Sequence, residues 1–264
     1  MGGAAKERAD VKLSLRLKAI VGMVTPGPRV IDVGTDHALV PIALVSGGRA
    51  ESAVAADIAP GPLAIAEEHI REKGLEDRIR TVLSDGLDRI DVIPGDQLII
   101  SGMGGYLMSG ILKRNPAKTR QFSALVLSPQ SDAAMVRHSL KELGFTAAAE
   151  SMIEDKGKFY QIIRAVPVPK GTPEEAGDPA AAGKLPGSGA ARRDDPEGPD
   201  EDARERYGPV LLDSEDPVLK KYLIRRRGAV SRILEASSAD SKSPGIAELY
   251  GEYRAIIRAL EYYH

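Results

Sequence analysis

Apolar side chains recur along the first two-thirds of the chain in two alternating patterns. Leu13, Leu17, Ile20, Val21 and Val24 repeat at helical spacing, and Pro26-Gly27-Pro28 stops that helix. RVIDVG (29–34) then reads as a buried strand, and a helix follows from about Val40 to Val45. SAVAAD (52–57) is the next strand. GPLAIAEEHIREKG (61–74) is a helix closed by Gly74, the residue that most easily takes the left-handed end position. IRTVLSD (79–85), DQLIISG (96–102) and SALVLSP (123–129) are three further strands, with helices near 105–113 and over 132–143 between and after them. FTAAAESMIED and KFYQIIRAV (158–166) form an antiparallel pair at the end. Strand–helix alternation of this kind predicts an α/β fold, a mostly parallel Rossmann-like sheet covered by helices on both faces, with its last strand antiparallel.

The pattern changes at 167. Residues 167–208 are rich in Pro, Gly, Ala and acids and nearly devoid of large apolar side chains, so they predict a disordered acidic linker. Beyond it, Val218, Tyr222, Val230, Ile233 and Leu234, then Ile246, Leu249, Tyr253, Ile256, Ile257 and Leu260, predict a helical hairpin with a polar turn between its arms. The expected domains are therefore 1–166, a linker at 167–208, and a helical module at 209–264.

Composition narrows the chemistry. With no cysteine among 264 residues, disulfides, zinc–thiolate sites and cysteine nucleophiles are excluded. Four histidines without an H-x-x-x-H pair make a histidine metal site an unfavoured reading, and no metal is expected. The N-terminus lacks an apolar leader and no segment is long enough to span a membrane, so the expected location is cytoplasmic. The formal charge of −2 argues against a nucleic-acid partner only until it is divided. Residues 1–166 carry +1, residues 167–216 carry −7, and residues 217–264 carry +4.

In an open parallel sheet the ligand binds at the carboxyl ends of the strands. Those ends read Asp32-Val33-Gly34-Thr35-Asp36-His37, Asp57-Ile58, Asp85-Gly86 and Ser101-Gly102-Met103-Gly104-Gly105. A dinucleotide needs a second glycine where Asp36 stands, and a carboxylate there would repel a pyrophosphate. The Walker lysine motif is absent too. S-adenosylmethionine, which has no phosphate and carries a sulfonium and an ammonium, suits four acidic strand ends. Asp57 is placed for the ribose hydroxyls and Asp85 for the adenine amino group.

VIDVGTDHALVP (30–41), DIAPGPLAIA (57–66), SDGL (84–87) and IISGMGGYLMSGIL (99–112), with LSLRL (13–17) and GKFY (157–160), resemble the bacterial tRNA (adenine-22-N1)-methyltransferases. The resemblance covers about 12–166 and implies a class I methyltransferase sheet with a C-terminal coiled-coil domain. It also implies S-adenosylmethionine as donor and tRNA as partner. The acid at Asp57 is often Glu in that family, Q-P-N is replaced by Ser128-Pro129-Gln130, and Gln161 stands where an acid often follows the tyrosine. The matching aspartate of D-H-A implies a catalytic role for Asp36; His37 either orients Asp36 or touches RNA. Asp32, Gly34, Asp57, Ile58, Asp85, Gly86, Ser101, Gly102 and Met103 are the expected donor site. Lys220, Lys221, Arg225, Arg226, Arg227 and Arg232 are the expected RNA contacts, extended by Arg16, Lys18, Lys113 and Arg114. Nothing in the sequence separates a monomer from a weak dimer.

Overall fold

Buried apolar runs become the centre of a sheet. In a computed structural model describing residues 12–169, 199–237 and 244–263, β1 (Gly27–Val33) lies between β2 (Ala50–Asp57) and β4 (Gln97–Ser101), parallel to both. β3 (Ile79–Leu83) pairs with β2, and β5 (Ala124–Ser128) with β4, also in parallel. β7 (Lys158–Pro167) runs antiparallel to β5, and β6 (Phe145–Asp155) pairs with β7 at the edge, giving the order β3-β2-β1-β4-β5-β7-β6. The order in which strands are added reverses between β1 and β4, which opens a crevice at their carboxyl ends.

Alternation along the strands feeds two cores. Ile31, Val33, Val54, Leu98, Ile100, Leu125 and Leu127 face one layer, packed against Met108 and Leu112 of α4 (Gly105–Arg114) and Val136 and Leu140 of α6 (Ala133–Glu142). Val30, Ala53, Ala55, Ile99, Val126 and Ile162 face the other. That layer is closed by Leu17 and Ile20 of α1 (Leu15–Met23), Ile42 and Leu44 of α2 (Leu39–Ser46), and Ala66 and Ile70 of α3 (Pro60–Glu72). A short α5 (Pro116–Thr119) joins α4 to β5. Ser14 caps α1, and Gly74 takes φ +61° after α3 as its position predicts.

A third core links the edge of the sheet to the tail helices. It joins Met152 of β6 to Ala203 and Tyr207 of α7 (Pro199–Tyr207), Leu211 and Leu212 of α8 (Pro209–Asp213), Leu219, Leu223 and Val230 of α9 (Pro217–Ala236), and Ala255, Ile256 and Ala259 of α10 (Pro244–Leu260). α9 and α10 are the two arms of the expected hairpin and pack on each other, and α7 and α8 precede them, α7 at the end of the expected linker. α7 is polar overall, but Ala203 and Tyr207, four apart, turn inward. Its charges find partners: Lys141 with Glu201 and Glu205, Arg204 with Asp213, and Arg206 with Asp202. Residues 170–198 of the expected linker lie outside the described residues. Among the described residues no helix is long and apolar enough to cross a membrane.

Candidate donor and substrate site

The crevice at the β1/β4 switch holds a cavity of about 230 Å³, lined by Arg16, Asp32, Gly34, Asp36, Ser101, Gly102 and Gln130 among others. Asp32, the last residue but one of β1, has only 4% of its surface exposed and accepts a hydrogen bond from Thr35 Oγ1 at 2.8 Å. Burial pushes its carboxyl up to about 6, against the Thr35 hydrogen bond and Arg16, which favour the charge. The amides of Gly34 and Thr35 both donate to the Ala56 carbonyl, at 2.8 and 3.0 Å, tying the loop to the end of β2. Gly34 has φ +74°, and a Cβ there would collide with the Met103 methyl group, so this expected site residue has both a conformational and a steric reason to be glycine.

Asp36 projects from the same loop into solvent at the cavity mouth, its side chain 69% exposed. His37 Nε2 lies 3.2 Å from Asp36 Oδ1. His37 and Ala38 both take left-handed backbone, φ +56° and +55°, which costs side-chain-bearing residues energy and needs local support. α3 provides it. His69 donates from Nδ1 to the His37 carbonyl at 3.1 Å, and the two rings stack with centroids 5.6 Å apart. A carbonyl can only accept, so the geometry assigns the proton to Nδ1.

The expected donor residues Asp57, Ile58, Asp85 and Gly86 stand at or just beyond the ends of β2 and β3 and are not in the lining of this cavity. Asp57 Oδ1 accepts from the Ala59 amide at 2.8 Å, and Oδ2 has no hydrogen bond among the described residues. Ile58 is exposed beside it. Asp85 shares its carboxylate with Arg114 Nη1 at 2.8 Å, a pairing the sequence did not suggest. Gly86 has φ +56°, and Ile111 lies 3.0 Å from where a Cβ would be. Ser101 and Gly102 form the cavity wall, and the Gly105 amide closes the loop onto the Ser131 carbonyl at 3.0 Å.

Arg16 stands apart from the expected RNA surface. It lines the cavity, with its guanidinium 5.4 Å from the Tyr160 ring centroid, its backbone amide 3.3 Å from Asp155 Oδ2, and Nη1 buried with no hydrogen-bond partner among the described residues. The tail cations also divide. Arg226 makes a two-pronged pair with Glu252 at 2.6 and 2.8 Å, and Lys221 pairs with Glu154 at 2.5 Å. Lys220 lies over the Tyr263 ring. Arg225, Arg227 and Arg232 are exposed without an acidic partner among the described residues. Lys113 is paired with Glu142, and Arg114 with Asp85 and Asp88. Thr35, His69 and Gln130 bear on the site through these contacts but were not among the expected site residues, and His69 read as structural or exposed. Gln130 had one signal, its place just beyond the end of β5, where the related family carries the Asn of Q-P-N.

A seven-stranded sheet with one reversed strand and acidic residues at its carboxyl-end crevice is the architecture of a class I, S-adenosylmethionine-dependent methyltransferase. Residues 13–163 match the family described as "Methyltransferase domain". The chain is 32% identical over 173 residues to the tRNA (adenine(22)-N(1))-methyltransferase of Bacillus subtilis, an alignment covering 66% of this chain and 69% of that one. A Streptococcus pneumoniae structure, assigned as a proposed tRNA (m1A22) methyltransferase, is 27% identical with a TM-score of 0.77 over 94% of this chain and 100% of that one. A second structure of it, in complex with S-adenosyl-L-methionine, is similar at a TM-score of 0.74, with the same identity and coverage. The chain belongs to the tRNA (adenine-22-N1)-methyltransferase family.

Proposed function

We propose that the protein methylates N1 of an adenine in tRNA, position 22 by its family, with S-adenosylmethionine as donor. The observation that carries this reading is an exposed carboxylate, Asp36, fixed at the mouth of a cavity whose wall holds a buried acid and a guanidinium with one nitrogen unpartnered among the described residues.

That pair fits the amino-acid end of the donor. Arg16 Nη1, buried and unpartnered among the described residues, suits its carboxylate, and Asp32 suits its ammonium. Oδ2 of Asp57 suits the ribose hydroxyls, with Ile58 against the adenine face and Asp85-Gly86 at its edge. Arg16 is therefore assigned to the donor rather than to RNA phosphates. The bound donor supplies an electron-poor methyl group on sulfur. Adenine N1 already holds a lone pair, so the protein needs no base to create the nucleophile. Positive charge develops on the adenine ring as the bond forms. Asp36 stabilises that charge, while His37, locked by His69, keeps the carboxylate aimed. N1 lies on the Watson–Crick edge, so the target adenine enters unpaired or flipped out. With tRNA as substrate, the working compartment is the cytoplasm.

Two measurements test this. Nucleoside mass spectrometry of tRNA from a deletion strain should show loss of 1-methyladenosine. Asp36→Asn should keep S-adenosylmethionine affinity and lower kcat by about 10²–10³, the range for removing one preorganised electrostatic group. Near-normal turnover in that variant would remove Asp36 from the mechanism.

A further inference from the structure

Among the described residues, the β6–β7 hairpin is the one strand pair that touches both lobes, and its tip is built unusually. Asp155 pairs with Lys158, leaving a two-residue loop, Lys156-Gly157. Both loop residues are left-handed, φ +51° and +76°, the tight turn whose twist matches a hairpin. Asn, Asp or Gly takes the first of these positions at little cost, whereas an L-residue with a long side chain is strained there by roughly 1–2 kcal/mol. Lysine at this position is a local choice that folding does not explain, and such outliers point toward function.

The charges around the tip are sorted by direction. Its two acids are spent inward. Glu154 pairs with Lys221 of α9, and Asp155 accepts from the Arg16 amide of α1, beside the cavity. Lys156 and Lys158 are exposed, and neither has an ionic or side-chain hydrogen-bond partner among the described residues. Arg225 of α9 reaches the tip itself, donating to the Gly157 carbonyl at 3.2 Å while its guanidinium stays exposed without an acid. Three uncompensated cations therefore meet at one turn. Strand alternation sets Lys158 on the same face as Tyr160, whose ring lies under Arg16 of the cavity wall. Phe159 points the opposite way, to Tyr222 and Arg225 of α9.

We infer that the hairpin tip, through Lys156, Lys158 and Arg225, is a phosphate-contacting surface for the RNA substrate, set between the cavity and the helical tail. Its partner is a polyanion with regularly spaced phosphates. Exposed cations without acids gain by neutralising them and releasing counterions. The inference rests on the tRNA reading above and adds where the strand runs. The tip touches the donor-holding helix on one side and the basic helix on the other, so RNA bound there is held beside the mouth that must receive one base.

The decisive variant is Lys156→Asn with Lys158→Gln, because asparagine suits the turn better than lysine. The expected double variant melts at or above the wild-type temperature and binds S-adenosylmethionine with unchanged Kd. Its KM for tRNA transcript should rise about 5–20-fold with kcat within two-fold. The slope of log K against log salt should shrink by roughly 1.4–1.8, as expected when two phosphates are no longer neutralised. Lys158→Glu should weaken binding further. An unchanged KM and salt slope overturn the inference, as does a fall in kcat alone. Failure of the tRNA reading itself would look different, since the wild-type protein would then form no 1-methyladenosine in any tRNA.

Discussion

Asp32 illustrates how one side chain couples the stability of the loop to its task. Its carboxyl is raised from the ordinary 3.8 to about 6, chiefly by burial. A raised acid favours folding while it is protonated, below its unfolded value near 4, and that contribution is lost as pH rises through 6. At pH 8 the fold therefore carries an ionised buried carboxylate at a cost of roughly 3 kcal/mol. Asp32→Asn keeps an acceptor for Thr35 and removes the charge, so it should melt above wild type at pH 8, with the gap closing near pH 4. It should also bind S-adenosylmethionine more weakly. Parallel thermal scans at the two pH values check this, and a gap independent of pH would contradict it. The sequence showed the acid and its strand end, but not its burial. Arg16 is placed by contacts of the same long-range kind. Its amide binds Asp155 and its guanidinium lies over the ring of Tyr160, both far along the chain, and no local pattern encodes either contact.

Among the elements, strands were the most legible, because parallel strands buried on both faces leave unbroken apolar runs. α7 was not, since only Ala203 and Tyr207 mark its inner face and a stretch of acids hides them. Its attachment is polar as well. Arg137 pairs with Glu150 at 2.8 Å, both side chains buried, and donates to the Glu205 and Arg206 carbonyls at the end of α7 and to Gln161. Glu150 accepts from the Val210 and Leu211 amides at the start of α8. Gly208 sits between the two helices at φ +102°, where a Cβ would meet the Glu150 carboxylate and come within 2.8 Å of Arg137 Nη2. Gly208→Ala should therefore cost about 3–5 kcal/mol, the scale of breaking a buried pair. Urea denaturation measures it, and a drop under about 0.5 kcal/mol, the size of a neutral surface change, would show that the junction yields easily.

At the scale of the whole molecule, the basic tail was legible as charge but not as function. Partners of its cations lie distant in sequence, Glu154 for Lys221 and Glu252 for Arg226. Arg226→Gln should accordingly lower the melting temperature. Arg227→Gln should leave stability alone and flatten the salt dependence of tRNA binding by roughly 0.7–0.9, the slope that one neutralised phosphate carries. Equal effects from both variants would refute that division of labour. Removing the tail outright is a poor test, because Met152 and Phe159 of the catalytic sheet are packed under it. That shared core has a consequence in time. A ribosome finishes β7 at Pro167 and reaches α7 at Pro199 only about 30 residues later, roughly 2–6 s at common elongation rates. Until the tail helices follow, the flank of the sheet around Met152 and Phe159 has nothing to cover it, so a chain stopped after β7 should expose apolar surface that the full chain buries and should aggregate more readily.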